Sequence, residues 1–196
     1  MPKKKSSPVE VELDELLAAE YNYIAQTAAQ ANEDRARVSS FYLIAVGSLV
    51  AAFFSAQFFD PKFFSQTVEF MFSGLFILLT LLGTSTTMQL ARLRAAWYES
   101  MQAMNQLKDF MISQHPELSR AFRWQTHALP PKYKTNSVSY YQAIEVALVS
   151  GLTFGAAIFF LQHAVNFGGL NSWAVSAVAG TLVISIELNL YKRMLK

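Results

Sequence analysis

Glu145 and Glu187 are the residues in this chain best placed to do chemistry. Both lie at the ends of long apolar runs, where burying an ionisable group is costly and often functional. Antiparallel helices would bring them to similar depth near one membrane face. A carboxylate there can carry a proton, or line a cation pathway as one member of a ring in an oligomer. It can also be plain interfacial surface, reaching water or pairing with Lys192 or Arg193. Thr84 and Thr87, in the polar run Gly83-Thr84-Ser85-Thr86-Thr87, are further pathway candidates. Hydroxyls of this kind also bond back to their own helix carbonyls, and both roles stay open. His163, Glu69 and Asp60 read as surface residues. His115, His127 and His163 have no metal-ligand spacing, and the chain contains no HExxH, GxSxG, Walker or GxGxxG pattern. With no Cys there are no disulfides, thiolate metal sites or Cys nucleophiles. No catalytic, cofactor-binding or metal-binding residue is assigned, and a non-enzymatic protein without cofactor is expected.

The elements that hold these residues are apolar helices. The chain has 196 residues, 53% hydrophobic and 15% charged. A soluble domain carries about 25% charged residues, so the shortfall points to the lipid bilayer as solvent. The net charge of +2 is too small to argue for nucleic acid. Spanning a ~30 Å hydrocarbon core takes about 20 apolar residues in helix. Residues 38–59 and 70–91 are uncharged, and so is 146–186, which breaks at Gly168-Gly169. Four spans are expected, at about 38–59, 68–88, 143–167 and 170–190.

Of the sixteen Lys and Arg residues, all but Lys62 fall in segments 1–37, 89–134 and 191–196. Basic residues stay on the cytoplasmic side during insertion, so both termini are expected inside, in a bacterial inner (plasma) membrane. Lys3, Lys4 and Lys5 lead into an acidic stretch, which speaks against a cleavable signal peptide. Tyr42, Tyr140, Tyr141 and Tyr191 fit an inner aromatic belt, and Trp173 an outer one.

The expected fold class is an all-α integral membrane protein of four transmembrane helices. Its first two helices run on into the cytoplasm as a paired antiparallel hairpin. Residues 1–7 are a basic tail. Residues 8–115 form the long hairpin, with arms 8–37 and 89–115. Residues 116–138 are a connector, and 139–196 a second transmembrane hairpin. Ser7-Pro8-Val9-Glu10 reads as the first N-cap, and Pro116 stops the second helix. A short helix is expected over 116–127, and Ser139 as the cap of the third span.

Leu17, Tyr21, Ile24, Ala28, Ala31 and Val38 form a narrow apolar stripe on the first arm, broken by Arg35. Leu90, Leu93, Trp97, Met101, Met104, Leu107 and Met111 form its counterpart. Such seams suit a pair of antiparallel helices or subunits. Small residues mark close-packing faces in membranes: Gly47 and Ala51 on the first span, Gly151 and Gly155 on the third, Ser176 and Gly180 on the fourth. They would pack either one bundle or neighbouring subunits.

Two segments resemble a known group. Asn32-Glu-Asp-Arg35-Ala-Arg37-Val-Ser-Ser-Phe41-Tyr42-Leu43 is similar to the Arg-rich approach to the first span of the RipA-like octameric membrane proteins. Trp97-Tyr-Glu-Ser-Met-Gln-Ala-Met104-Asn105-Gln-Leu-Lys108-Asp-Phe-Met-Ile112 is similar to their tryptophan helix. Met104 stands where that group usually has Leu, and Asp109 where an aromatic is common. The likeness covers about residues 31–112. Proteins of this kind include transmembrane accessory proteins of some RNA-guided RNA nucleases. The resemblance implies a ring-forming bacterial inner-membrane protein with a pore or envelope-stress role.

Taken together, the expectation is a homo-oligomeric, pore-forming or membrane-perturbing protein whose cytoplasmic arms receive a signal from a soluble protein partner. The alternatives are a small-solute or proton-coupled transporter using Glu145 or Glu187, and a membrane-anchored scaffold.

Overall fold

The structure is a computed structural model that describes residues 13–55, 65–167, 169 and 171–196. The expected cap at Ser7–Glu10, the Lys triplet and the turn at Asp60–Lys62 lie outside the described residues. Four long helices dominate: α1 (Leu13–Ser55), α2 (Gln66–Gln114), α3 (Val138–Ala164) and α4 (Ser172–Met194). All four are long and apolar enough to cross a membrane. At 1.5 Å per residue, α3 and α4 are about 40 and 35 Å long, near one bilayer crossing. The 43 residues of α1 and 49 of α2 make helices about twice that length.

Local chemistry sets the ends. The Ser65 hydroxyl accepts from Val68 N at 3.4 Å and caps α2. At the other end α2 stops at Gln114, ahead of His115-Pro116 as expected. The N-cap of α3 lies two residues before the expected one. Ser137 is its N-cap and accepts from Tyr140 N, while Ser139 turns inward and shares a 2.8 Å hydrogen bond with the Tyr191 hydroxyl. Helix α3 also ends early, at Ala164. Asn166 adopts a left-handed conformation (φ 54°). Its N–H bonds to His163 O at 3.0 Å and that of Phe167 to Gln162 O at 2.8 Å, the paired bonds of a Schellman cap. Asn166, two residues before the Gly pair, is therefore what stops this helix. The helix expected over 116–127 is replaced by two short 3-10 turns, Pro116–Arg120 and Thr126–Ala128, neither of which buries a residue.

Contacts divide the chain into two units, each holding part of α1 and of α2. The first takes Met1–Gln30, of which 13–30 are described, with Trp97–Pro130. Here Ile24, Ala28 and Met104 are buried, and Leu17 and Trp97 are half-buried. Lys108 Nζ lies 5.9 Å over the Tyr21 ring. Asn105 is buried and gives its amide to Gln125 O at 3.2 Å, tying the connector to α2.

The second unit, Ala31–Ala96 with Pro131–Lys196, holds the larger core. Tyr42, Val46, Leu79, Leu90, Ala91, Ala143, Val146, Tyr191 and Leu195 form one buried cluster. Tyr42 and Tyr191, expected at an interface, are therefore core residues. Tyr141 and Trp173 are exposed. A second cluster joins Phe53, Phe72, Phe76 and Phe160, with Phe53–Phe72 at 5.2 Å and Phe76 stacked on Phe160 at 5.7 Å.

Helices α3 and α4 meet through their small faces. A Cβ on Gly151 would stand 2.7 Å from Gly180 O, and one on Gly180 2.5 Å from Gly151 O. Gly155 faces the Ser176 carbonyl. Glycine removes the side chains that would hold the two backbones apart. By contrast Gly47 and Ala51 on α1 are exposed, and nothing lies within 4 Å of a Cβ at Gly47.

Candidate functional site

A polar cage is buried where α1, α2, α3 and α4 converge in the second unit. Helix α2 presents Thr80, Thr84 and Thr87 at four-three spacing, which places all three on one face. Helix α3 adds Ser150 and Thr153, one turn apart. Helix α4 adds Glu187, only 1% exposed. An ionised carboxylate buried this way is costly unless hydrogen bonds offset the lost water. Three hydroxyls do so here. Glu187 Oε1 accepts from Ser150 Oγ at 2.6 Å and Thr84 Oγ1 at 2.7 Å, and Oε2 accepts from Thr87 Oγ1 at 3.2 Å.

Two of these hydroxyls have a second acceptor in common. The Thr80 carbonyl lies 3.1 Å from Thr84 Oγ1 and 3.3 Å from Ser150 Oγ. Each hydroxyl carries one proton, so each donates to Glu187 Oε1 or to Thr80 O. With the carboxylate ionised, both turn toward it. With a proton on the carboxyl group, both can turn back to the helix carbonyl, and a hydroxyl oxygen can accept the acid proton. The cage thus satisfies either protonation state by rotating hydroxyls, with no movement of the backbone. Thr80 Oγ1 and Thr153 Oγ1, 3.0 Å apart, extend the network. Either hydroxyl can instead donate to its own helix, Thr80 to Phe76 O and Thr153 to Ser150 O, so at most two of the three bonds form at once.

Tyr42 supplies the α1 wall. Its hydroxyl is buried and faces Ser150 and Thr153, without a well-formed hydrogen bond to either. A Cβ at Gly83 would lie 2.6 Å from that hydroxyl and 2.7 Å from Ser150 Oγ. The bare Gly83 backbone therefore makes room for both groups against α2.

Of the pathway candidates, Glu187, Thr84 and Thr87 come together. Glu145 is exposed on α3 and takes no part. Glu187 is not an interfacial side chain turned to Lys192 or Arg193; it faces inward. Ser150, Thr153 and Thr80 have no role in the sequence reading, and Tyr42 has one only as an interfacial aromatic. The four-three spacing of the threonines was the available signal, since it marks a hydroxyl stripe on one face. At the opposite end of α3, His163 Nδ1 lies 3.6 Å from Glu69 Oε1, so Glu69 is half-buried and has a neighbour rather than being plain surface. Among the described residues no three His, Asp or Glu side chains are grouped as a metal site. Comparison of the chain with protein-family models, curated proteins and solved structures gives no match.

Proposed function

We propose that the protein is a four-span integral membrane protein in which Glu187 is a proton-binding site, and that proton occupancy governs movement of an ion or small solute. The observation that carries this reading is the hydroxyl cage: a carboxylate 1% exposed, served by three side-chain donors, two of which share an alternative acceptor. Purely structural burial would favour an apolar residue, because replacing buried ionic groups by packed hydrophobic ones is often neutral or stabilising. Intramembrane carboxylates with bonding partners mark proton and ion pathways. The basic end of the helices is cytoplasmic in this reading.

The test is infrared difference spectroscopy and proton flux on protein reconstituted in liposomes. Wild-type protein should show a protonated-carboxyl band that responds to pH, together with pH-dependent flux. Glu187→Gln should lose both while remaining folded. A folded Glu187→Gln protein that keeps the band and the flux would sink the proposal.

A homo-oligomeric pore is the second reading. It is favoured by the exposed Gly47 and Ala51 on α1, a face small enough for a second copy to approach closely. Exposed Glu145 would then supply the carboxylate ring, since Glu187 is enclosed within its own bundle. In this reading the first unit receives a soluble partner, and the assembly is a ring as the family resemblance implies. Sedimentation of the detergent-purified protein as a monomer alone would rule the ring out.

A further inference from the structure

Arg35 interrupts an otherwise apolar stripe on α1, yet the stripe carries it inward. The residue is only 8% exposed. Its Nη2 donates to Asn32 Oδ1, one turn back, at 2.8 Å. Its Nε and Nη1 are buried and have no hydrogen-bond partner among the described residues. The neighbouring acid Asp34 is 3.5 Å from Arg37 instead, and Glu33 is exposed. A second buried cation sits nearby. Arg94 on α2 is 6% exposed, donates its Nε to Lys132 O at 3.1 Å, and is within electrostatic range of Arg35. From α4 the facing group is the Tyr191 hydroxyl, already bonded to Ser139. Two guanidinium groups are thus removed from water within electrostatic reach of each other, and Arg35 has most of its donors unused. Unpaired buried charge is among the costliest arrangements in a protein, and its usual resolution is an anion.

The geometry of the fork says which anion. Guanidinium has two edges that can each give a pair of parallel N–H bonds: Nε with Nη2, and Nη2 with Nη1. Asn32 takes one of the two Nη2 protons, so whichever edge it occupies, the other remains complete. Asn32 is itself exposed. An incoming oxyanion can displace its amide oxygen and reach the guanidinium without crossing the core. A phosphate group offers several oxygens for bidentate bonding to the Arg35 fork. Arg37, Arg92, Lys132, Lys134, Lys192 and Arg193 belong to the same basic end of the helices in sequence, and would raise the local concentration of such a ligand.

We propose that Arg35, with Asn32 as its displaceable cover and Arg94 as the adjoining charge, forms a binding site for a phosphate group. The phosphate is either the headgroup of an anionic lipid or a free phosphate. The test uses the full chain in detergent and reads its unfolding temperature in two titrations. One adds phosphatidic acid to the micelles, with diacylglycerol as control. The other adds inorganic phosphate, with chloride at matched ionic strength as control. A rise with phosphatidic acid alone assigns the lipid headgroup, and a rise with inorganic phosphate assigns the free anion. In either case Arg35→Met should bind about tenfold more weakly or worse. Asn32→Asp places a tethered carboxylate on the same guanidinium. It should raise the starting unfolding temperature and remove the ligand response, which keeps the test informative if Arg35→Met does not fold. No rise above control in either titration overturns the proposal. So does an undiminished response in Asn32→Asp.

Discussion

At Gly83 a single hydrogen decides whether the cage can form. Its missing side chain leaves room for the Tyr42 and Ser150 hydroxyls. Gly83→Ala should therefore overpack the site and cost about 1–3 kcal/mol, read as a lower unfolding temperature in detergent. Tyr42→Phe removes a hydroxyl with only poorly formed contacts to Ser150 and Thr153, so alone it should cost at most about 1 kcal/mol. Combined with Gly83→Ala it should recover part of the loss, and a double-mutant cycle would give the coupling. Strict additivity would mean that the two groups do not compete for the same space. Glu187 is the other decisive residue. Glu187→Leu removes the carboxylate that accepts from Ser150, Thr84 and Thr87 and should destabilise the bundle. Glu187→Gln keeps an acceptor oxygen and should fold, with loss confined to proton-dependent behaviour. Equal unfolding temperatures for Leu and Gln would argue that the hydroxyls do not need the carboxylate.

Among the elements, α3 and α4 approach each other backbone to backbone. Gly151 and Gly180 face each other's carbonyls, so added atoms meet backbone, which cannot rotate away. Gly180→Val should separate the helices and cost more than the ~1–3 kcal/mol typical of overpacking in flexible surroundings. Gly47→Val, with open space around it, should leave the monomer's unfolding temperature unchanged. A larger effect at Gly47 in oligomeric protein than in monomer would locate an interface there. The turn between α3 and α4 has its own check. A left-handed backbone costs an L-residue roughly 1–2 kcal/mol, and β-branched residues tolerate it least. Asn166→Val should therefore destabilise while Asn166→Gly should not. If both behave alike, the cap does not set the stability of that turn.

For the whole molecule, the open question is orientation, and the sequence provides a clean way to measure it. The native chain has no Cys, so single cysteines report one site each. Asn136→Cys and Lys196→Cys should react with an impermeant maleimide only from the cytoplasmic side. Asn171→Cys should react only from the opposite side. Labelling of Asn136→Cys and Asn171→Cys from one side would show that α3 and α4 do not form a transmembrane hairpin. The two contact units add a second consequence at this scale. The first unit, with Ile24, Ala28 and Met104 buried and Asn105 holding the connector, has its own packing. Met104→Ala should therefore lower stability by about 2–5 kcal/mol in that unit, without altering the Glu187 carboxyl band.

Much of this architecture was legible in residue order. Uncharged length marked four helices, Pro116 marked the end of α2, and Thr84 and Thr87 stood out as hydroxyls within an apolar run. Those are local properties: a helix turns every 3.6 residues whatever it packs against, and proline disfavours helix before it wherever it occurs. What residue order could not decide was direction. Glu187 and Glu145 look alike in sequence, each a single acid beside an apolar run, and only packing sends one into a hydroxyl cage and leaves the other exposed. Tyr42 and Tyr191 have the composition of interfacial residues, yet sit in the core because facing helices meet at their positions. Arg35 looked like a break in a stripe and is buried within it. In each case the side chain's chemistry was written in the sequence. For Glu187 and Tyr191 the partners come from other helices, Thr84 on α2 and Ser139 on α3, and only the tertiary structure brings them together.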